Sequence, residues 1–314
     1  DTLWRKGNAA GHPFNKHKYE KNISSDLRTA KGIGLTNYYE NFRSFMQQRK
    51  DGQPFYFWYG ATEPHRVYEK GSWKRNGKSL DQVDVPGFLP DSEEVRGDML
   101  DYAVEIEWAD SHLSKMLEYL DSIGELNNTI VIVTADNGMP FPRAKANCFE
   151  YGVHVPFAVS YPKGFPGKRR VDDPISFVDI APTILEIAGV KPDGMLPISG
   201  RSFMNILKSK KEGIVDQSKK YVYMGRERHS SSRWQNLGYP QRAVRNQDYL
   251  LIWNLRPERW PAGAPQMLNK KTGELCPMYG IGEDGTFHPD WAFTDVDDAP
   301  SKTFLIENHK DPVI

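Results

Sequence analysis

The chain has 314 residues, of which 39% are hydrophobic, with 41 basic and 41 acidic side chains. A formal net charge of zero argues against a surface that coats nucleic acid and against a polybasic membrane anchor. No apolar run approaches the roughly 18 residues needed to span a bilayer, so we expect no membrane span. Cys148 and Cys276 lie far apart and form neither a metal-ligand pattern nor a disulfide framework.

The first predicted elements are a helix and a strand. Apolar residues recur at helical spacing over residues 36–49, which predicts a helix. Residues 54–59 form an unbroken apolar run, which predicts a buried strand. A small, polar segment over 60–66 follows and contains His65 and Arg66. A histidine in a loop is usually a surface residue, but this one follows a predicted strand and is therefore a candidate for a site.

A long helix is predicted next. Ser92 is placed to cap it, and an apolar stripe continues over residues 93–123. Four acidic residues of this helix are expected to form its solvated face: Asp98, Asp101, Glu105 and Glu107.

The run Thr129 to Thr134 is β-branched at every position, which is typical of a strand buried on both faces. It breaks into Ala-Asp136-Asn137-Gly138. Open α/β sheets bind ligands at the carboxyl ends of their strands, and hard cations prefer carboxylate and amide oxygens. The alternative is a turn that uses Asp-Asn-Gly only for its backbone geometry.

The loop after Gly138 places the positive charges of Arg143 and Lys145 beside this candidate site. Residues 155–161 predict another short strand, and Asp179 is expected to cap a helix that ends at Ile187. The predicted helix over residues 93–123 is followed by the predicted strand over residues 129–134, which is the order that a right-handed crossover in a parallel sheet requires. The sequence therefore predicts an α/β fold with a central, mostly parallel sheet.

A shift in composition near residues 208–220 predicts a domain boundary. We expect a main α/β domain over residues 1–215 and a smaller C-terminal domain over residues 216–314. Residues 220–225 and 248–253 resemble strands of a smaller antiparallel sheet.

Several segments together resemble the sulfatases, and among them the heparan N-sulfatase (sulfamidase) branch. The matching segments are Glu63-Pro-His-Arg66, the stretch 134–142 with Lys145 behind it, Val155-Pro-Phe157 and the stretch 179–185. Each is weak alone, but the ordered set is fairly specific and runs from about residue 36 to about residue 255.

The resemblance implies an alkaline-phosphatase-like α/β sandwich and a Ca²⁺ ion bound by Asp136 and Asn137. It also implies that His65 and Lys145 hold the sulfate. These roles agree with physical chemistry, because a cation and an ammonium stabilise the charge that builds up as sulfur is attacked. His65 is suited to protonate the departing atom. Arg66, Arg226 and His229 are expected to bind the saccharide, with a structural ion pair as the open alternative for each.

One departure from the family pattern is large. Sulfatases use a formylglycine made from a Cys or Ser in a Cys/Ser-x-Pro-x-Arg segment, and this sequence contains none. Cys276 is followed directly by Pro277, and the pair Asp297-Asp298 does not lie where the family places its early aspartates. We therefore expect a sulfatase without its first portion, and these residues alone are expected to be inactive.

The predicted function is the hydrolysis of a sulfuric ester or sulfamate in sulfated glycans of the glycosaminoglycan type. The enzyme would depend on calcium and formylglycine and would be exported to the periplasm, the exterior or the lysosome. Two alternatives stay open, since one fold serves many functions. One is a phosphoryl-transfer enzyme of the same superfamily, and the other is a catalytically inactive, anion-binding relative.

Overall fold

The computed structural model describes residues 21–229, 232–233, 237–259, 261–263 and 293–308. Its described residues fall into two compact units. Unit 1 takes residues up to Pro86 together with Asp91–Leu126, and unit 2 takes Gly87–Pro90 and the residues from Asn127 onward. The domain boundary expected between residues 215 and 216 lies within unit 2 and stays a prediction. Cys276 lies outside the described residues.

Unit 1 is helical, with α1 over Tyr38–Gln47, the short α2 over Ser72–Arg75 and α3 over Glu93–Ser122. Both predicted helices are confirmed to within about two residues at each end. Asn37 caps α1, because its side-chain oxygen accepts a hydrogen bond from the Glu40 backbone. Ser92 caps α3 in the same way, as predicted.

The core between α1 and α3 contains Phe42, Met46, Met116 and Leu120. Residues 54–59 run beside this core as extended chain, but they are not assigned as a strand. Phe55, Phe57 and Tyr59 pack against the core, whereas Tyr56 and Trp58 are exposed. The prediction of a strand buried on both faces is therefore wrong here, because alternate side chains face opposite sides.

The acidic residues of α3 also differ from the prediction. Asp98, Asp101 and Glu105 are buried, and only Glu107 is solvated as expected. The reason is that residues 63–73 lie over this part of the helix. The Asp101 carboxylate, for example, accepts hydrogen bonds from Gly71 N at 2.8 Å and Ser72 Oγ at 2.7 Å.

Unit 2 begins with β1 over Val131–Thr134, followed by α4 over Glu150–Val153 and β2 over Phe157–Ser160. The strands pair antiparallel, with Val131 opposite Ser160 and Thr134 opposite Phe157. The predicted strands are confirmed in place. The chain reverses direction in the loop between them, so this pair is antiparallel, whereas the sheet was predicted to be mostly parallel. No residue of β1 is fully buried, since β2 is its one strand partner in the described part of the chain.

Two helices, α5 over Ile180–Ala188 and α6 over Met204–Lys208, follow in unit 2. Asp179 precedes α5 but does not cap it with its side chain, which corrects the prediction. Its carboxylate instead accepts hydrogen bonds from Ser176 N at 2.9 Å and Arg201 N at 2.9 Å, and it pairs with Lys219.

The smaller sheet is antiparallel, as predicted, in the order β3 over Val222–Arg226, β4 over Gln241–Arg245 and β5 over Leu250–Asn254. The sequence analysis missed β4, whose two arginines obscure the strand pattern. A last helix, α7, covers Pro300–Asn308. Within the described ranges, no helix combines the length and the apolar character required to cross a membrane.

Candidate active site

The loop after β1 closes on itself through backbone hydrogen bonds. Gly138 N donates to Gly152 O at 3.0 Å, and Lys145 N donates to Met139 O at 3.1 Å. A Cβ added at Gly138 would lie 1.8 Å from the Tyr151 carbonyl oxygen, so only glycine fits there. The glycine that the sequence indicated as a turn residue is thus needed for a close approach of two backbone segments.

Asp136 and Asn137 are exposed at the carboxyl end of β1. The Asn137 amide donates from Nδ2 to Gly138 O at 2.8 Å. Neither side-chain oxygen accepts a hydrogen bond from the described residues, so both keep their lone pairs for another ligand. Their donor chemistry fits a hard cation. The described ranges contain no group of three or more His, Cys, Asp or Glu side chains with metal-binding geometry.

Lys145 extends from the same loop and pairs with Asp297. The distance from Lys145 Nζ to Asp297 Oδ2 is 3.0 Å, and the two side chains keep 16% and 25% of their exposure. This ion pair is therefore partly open to solvent.

Arg226, at the end of β3, lies in a buried charged cluster around Asp295. Arg226 Nη2 is 2.5 Å from Asp295 Oδ2, and Arg233 donates to the same oxygen from Nε at 2.8 Å and from Nη2 at 2.6 Å. Burial lowers the pKa of Arg233, although the Asp295 carboxylate acts in the opposite direction. Tyr239 completes the cluster, because both guanidinium groups lie over its ring.

His229 is placed beside this cluster. Its Nδ1 lies 3.9 Å from Asp295 Oδ1 and has no hydrogen-bond partner in the described part of the chain. The nitrogen is buried all the same. The site-residue predictions for Arg226 and His229 thus fall on one charged cluster, while Asp295 and Arg233 were missed.

Asn147 connects the loop that contains Lys145 with Arg226 at the end of β3. Its Oδ1 accepts a hydrogen bond from Arg226 Nη1 at 3.2 Å, and its Nδ2 donates to Lys145 O at 3.2 Å. Asn147 thus links the backbone of Lys145 to the Arg226 guanidinium. The segment 293–298 supplies Asp297 to Lys145, and Asp295 to Arg226 and His229. Cys148 is buried next to Asn147, and burial raises the pKa of its thiol.

In unit 1, His65 is exposed on the loop after the extended segment. Its Nδ1 lies 2.7 Å from Arg66 O, a geometry in which Nδ1–H donates to the carbonyl. Nε2 is the other nitrogen of the ring at which a proton can be gained or lost. The loop is held by Glu63, whose carboxylate accepts hydrogen bonds from Gly34 N at 2.8 Å and from Tyr38 Oη at 2.8 Å.

Arg66 does not share the exposure of His65. Its guanidinium donates twice to Asp98, at 2.7 and 2.8 Å, and the two side chains keep 4% and 1% of their exposure. The guanidinium also lies 4.4 Å from the centre of the Tyr68 ring. These contacts favour the structural ion pair that the sequence analysis left open. The predicted binding role of Arg66 stays a prediction.

Residues 4–190, more than half of the chain, match the sequence profile of the family Sulfatase. The chain belongs to the sulfatase family. Residues 144–261 also match the profile described as N-sulphoglucosamine sulphohydrolase, C-terminal. That second profile covers Lys145, Arg226 and His229 of this chain.

Among its relatives is an ulvan-active sulfatase of Formosa agariphila, 26% identical over 249 residues that cover 68% of this chain and 39% of that protein. The N-sulphoglucosamine sulphohydrolase of Homo sapiens is 27% identical over 245 residues, which cover 68% of this chain and 46% of the human protein. The matched part thus spans less than half the length of these two curated relatives.

A solved structure from work on glycosaminoglycan metabolism by Bacteroides thetaiotaomicron resembles this sulfatase with a TM-score of 0.53 and 20% identity. The likeness covers 77% of this chain and 51% of that one. At this identity it shows the fold alone. Together with the family match, it confirms the predicted alkaline-phosphatase-like α/β class.

Proposed function

We propose that the complete protein hydrolyses sulfuric esters or sulfamates of sulfated saccharides of the glycosaminoglycan type. The observation that carries this proposal is the connection of the Lys145 backbone with the Arg226 guanidinium through Asn147, in the loop that follows the exposed Asp136-Asn137 pair. A sulfate group spreads its negative charge over three oxygens, so it suits an ammonium and a guanidinium held in fixed positions.

In this proposal Lys145 holds the sulfate, and Arg226 and His229 bind the saccharide. Arg226 is neutralised in part by Asp295, so its contribution to binding is mainly directional hydrogen bonding. His65 protonates the departing oxygen or nitrogen, a role that the exposure of its side chain and the contact of Nδ1 with Arg66 O support. Arg66 fixes the backbone of the His65 loop through its buried pair with Asp98.

Asp136 and Asn137 would hold a Ca²⁺ ion, together with ligands beyond this pair. The ion would supply Lewis-acid stabilisation of the charge that develops on the sulfate oxygens. The formylglycine nucleophile is expected outside these residues, because the sequence lacks its Cys/Ser-x-Pro-x-Arg segment. Export to the periplasm, the exterior or the lysosome is part of the same proposal, and fractionation of cells expressing the complete protein tests it.

The test is a turnover assay of the complete enzyme on sulfated and on phosphorylated sugars. We expect hydrolysis of the sulfated set with calcium present, and loss of activity on chelation. His65→Ala is expected to abolish turnover, because the departing atom then lacks its proton donor. His154→Ala is the matched control, since His154 is an exposed histidine of unit 2 outside the proposed site, and it should keep full activity.

Other outcomes distinguish the alternatives. Hydrolysis of the phosphorylated sugars alone would indicate a phosphoryl-transfer enzyme. Binding of sulfate without turnover of either set would indicate an inactive, anion-binding relative. Near-normal rates in His65→Ala would remove His65 from the mechanism.

A further inference from the structure

The ion pair between Lys145 and Asp297 poses a physical problem. A lysine that holds sulfate binds its anion best when no other anion is near, yet a carboxylate lies 3.0 Å from Lys145 Nζ. Both side chains remain partly exposed, so the pair is not required to neutralise a buried charge. The carboxylate next to Lys145 therefore needs another explanation.

The position of Asp297 is fixed by the fold. The preceding Asp295 is buried in the arginine cluster, and its backbone N donates to Ala262 O at 3.0 Å. Lys302 Nζ donates to Val296 O at 3.0 Å. Asp298, by contrast, keeps 89% of its exposure and pairs with Lys302 on α7. Of the two adjacent carboxylates Asp297 and Asp298, the segment thus presents Asp297 to Lys145.

We propose that Asp297 is a specificity-determining residue that favours sulfate groups carried on nitrogen over those carried on oxygen. The inference rests on the proposed function, in which Lys145 holds the sulfate. An oxygen of a sulfate bound to Lys145 lies about 3 Å from Nζ, so Asp297 lies within roughly 6 Å of that oxygen and within about 8 Å of the bond that breaks. At that distance the charge on the leaving group determines whether the Asp297 carboxylate stabilises the cleavage of the bond.

The two reactions differ in that charge. In sulfamate hydrolysis the S–N bond breaks, water supplies the new S–O bond, and the nitrogen takes up protons and leaves as an ammonium; R–NH–SO₃⁻ and water give R–NH₃⁺ and SO₄²⁻. In ester hydrolysis the S–O bond to carbon breaks, and the oxygen takes one proton and leaves as a neutral alcohol. The Asp297 carboxylate stabilises the positive charge that develops on the ammonium leaving group, and it does not stabilise the neutral alcohol. In both reactions it weakens the binding of the sulfate group to Lys145.

The test compares kcat/KM of the complete enzyme and of Asp297→Asn on glucosamine N-sulfate and on glucosamine 6-O-sulfate. For the N-sulfate we expect a fall of about threefold to thirtyfold, the effect of one charge at roughly 8 Å in a partly solvated site. The rate on the 6-O-sulfate should stay the same or rise. The control Asp298→Asn, at the neighbouring exposed carboxylate, should leave both rates within about twofold.

A second measurement separates specificity from mere positioning of Lys145. Inorganic sulfate should inhibit Asp297→Asn more strongly than wild type, because Lys145 has lost its competing anion. If Asp297 only positions Lys145, the variant should instead bind sulfate more weakly and lose both activities alike. Either of those results, or a wild-type enzyme that cleaves only the 6-O-sulfate, overturns the inference while leaving the sulfatase proposal intact. A wild-type enzyme that cleaves neither sugar overturns both.

Discussion

One ion pair of unit 1 and one of unit 2 have opposite character. In unit 1, Arg66 and Asp98 form a bidentate pair that is almost fully buried. In unit 2, Lys145 and Asp297 form a single contact that solvent reaches. Burial makes separation of the first pair costly, because either charge would be left without water or a partner. The second pair exchanges its partners at little cost, which is what a residue that binds and releases an anion requires.

Glu105 extends the contrast within unit 1. It is buried on the same helix as Asp98, but its Oε1 has no hydrogen-bond partner in the described part of the chain. Burial raises the pKa of Glu105 to about 8, and the nearby charges of Glu63 and Asp101 act in the same direction while Arg66 opposes them. Unit 1 therefore contains one carboxylate that is charged and paired and another that is neutral at pH 7.

The largest effect is expected for Asp98→Asn. The substitution leaves the Arg66 guanidinium buried without its counter-charge, so we expect the free energy of unfolding to fall by about 3–5 kcal/mol. Urea unfolding of the protein measures it. Glu107→Gln, at a solvated carboxylate of the same helix, is the control and should change stability by less than about 0.5 kcal/mol. Equal effects of the two substitutions would contradict the distinction between the two kinds of pair.

An intermediate effect is expected for Glu105 as the pH changes. In the unfolded chain its carboxyl ionises near 4.5, whereas in the folded protein the pKa is about 8. Between these values the native state binds more protons, so stability falls as the pH rises, by up to about 1.4 kcal/mol per pH unit. Glu105→Gln removes this contribution, so wild type should lose more stability than the variant between pH 5 and pH 8. Parallel pH profiles would show that Glu105 is ionised in the folded protein.

The smallest effect is expected for the stability of Asp297→Asn. Exposed pairs contribute about 0.2–1 kcal/mol, and salt screens them, so the difference from wild type should shrink between about 0.1 M and 1 M salt. Urea unfolding at the two salt concentrations measures this. A loss as large as that of Asp98→Asn would mean that Asp297 is a structural residue, and the contrast between the two units would disappear.

Periodicity and capping residues predicted α1, α3 and two of the three strands of the smaller sheet, β3 and β5, because those signals are local. They did not predict the burial of Asp98, Asp101 and Glu105. The Asp98 and Asp101 partners lie about 30 residues earlier, in a segment that the fold lays over the helix. An apolar stripe shows which face of a helix packs in the core. It does not show that a loop covers the adjacent polar face.

The candidate site shows the same limit. Lys145 and Arg226 were selected from the sequence, whereas Asn147, Asp295 and Asp297 were not. Asp297 lies 152 residues from Lys145, and no local pattern indicates that contact. The available signal was the cluster of aspartates over 295–298. The sequence analysis compared only the pair Asp297-Asp298 with the early aspartates of the family and found it in a different place. The convergence of His65 with Asp136 and Lys145 stays a prediction.

The close approach at Gly138 has a consequence for natural variation. The backbone of the Lys145 loop is held by hydrogen bonds between main-chain atoms and by the space that two glycines leave, Gly138 and Gly152. Exposed side chains of the loop can therefore change while the path of the chain is preserved. A single methyl group at position 138 would meet a carbonyl oxygen, so descendants should keep this glycine even where those exposed positions vary.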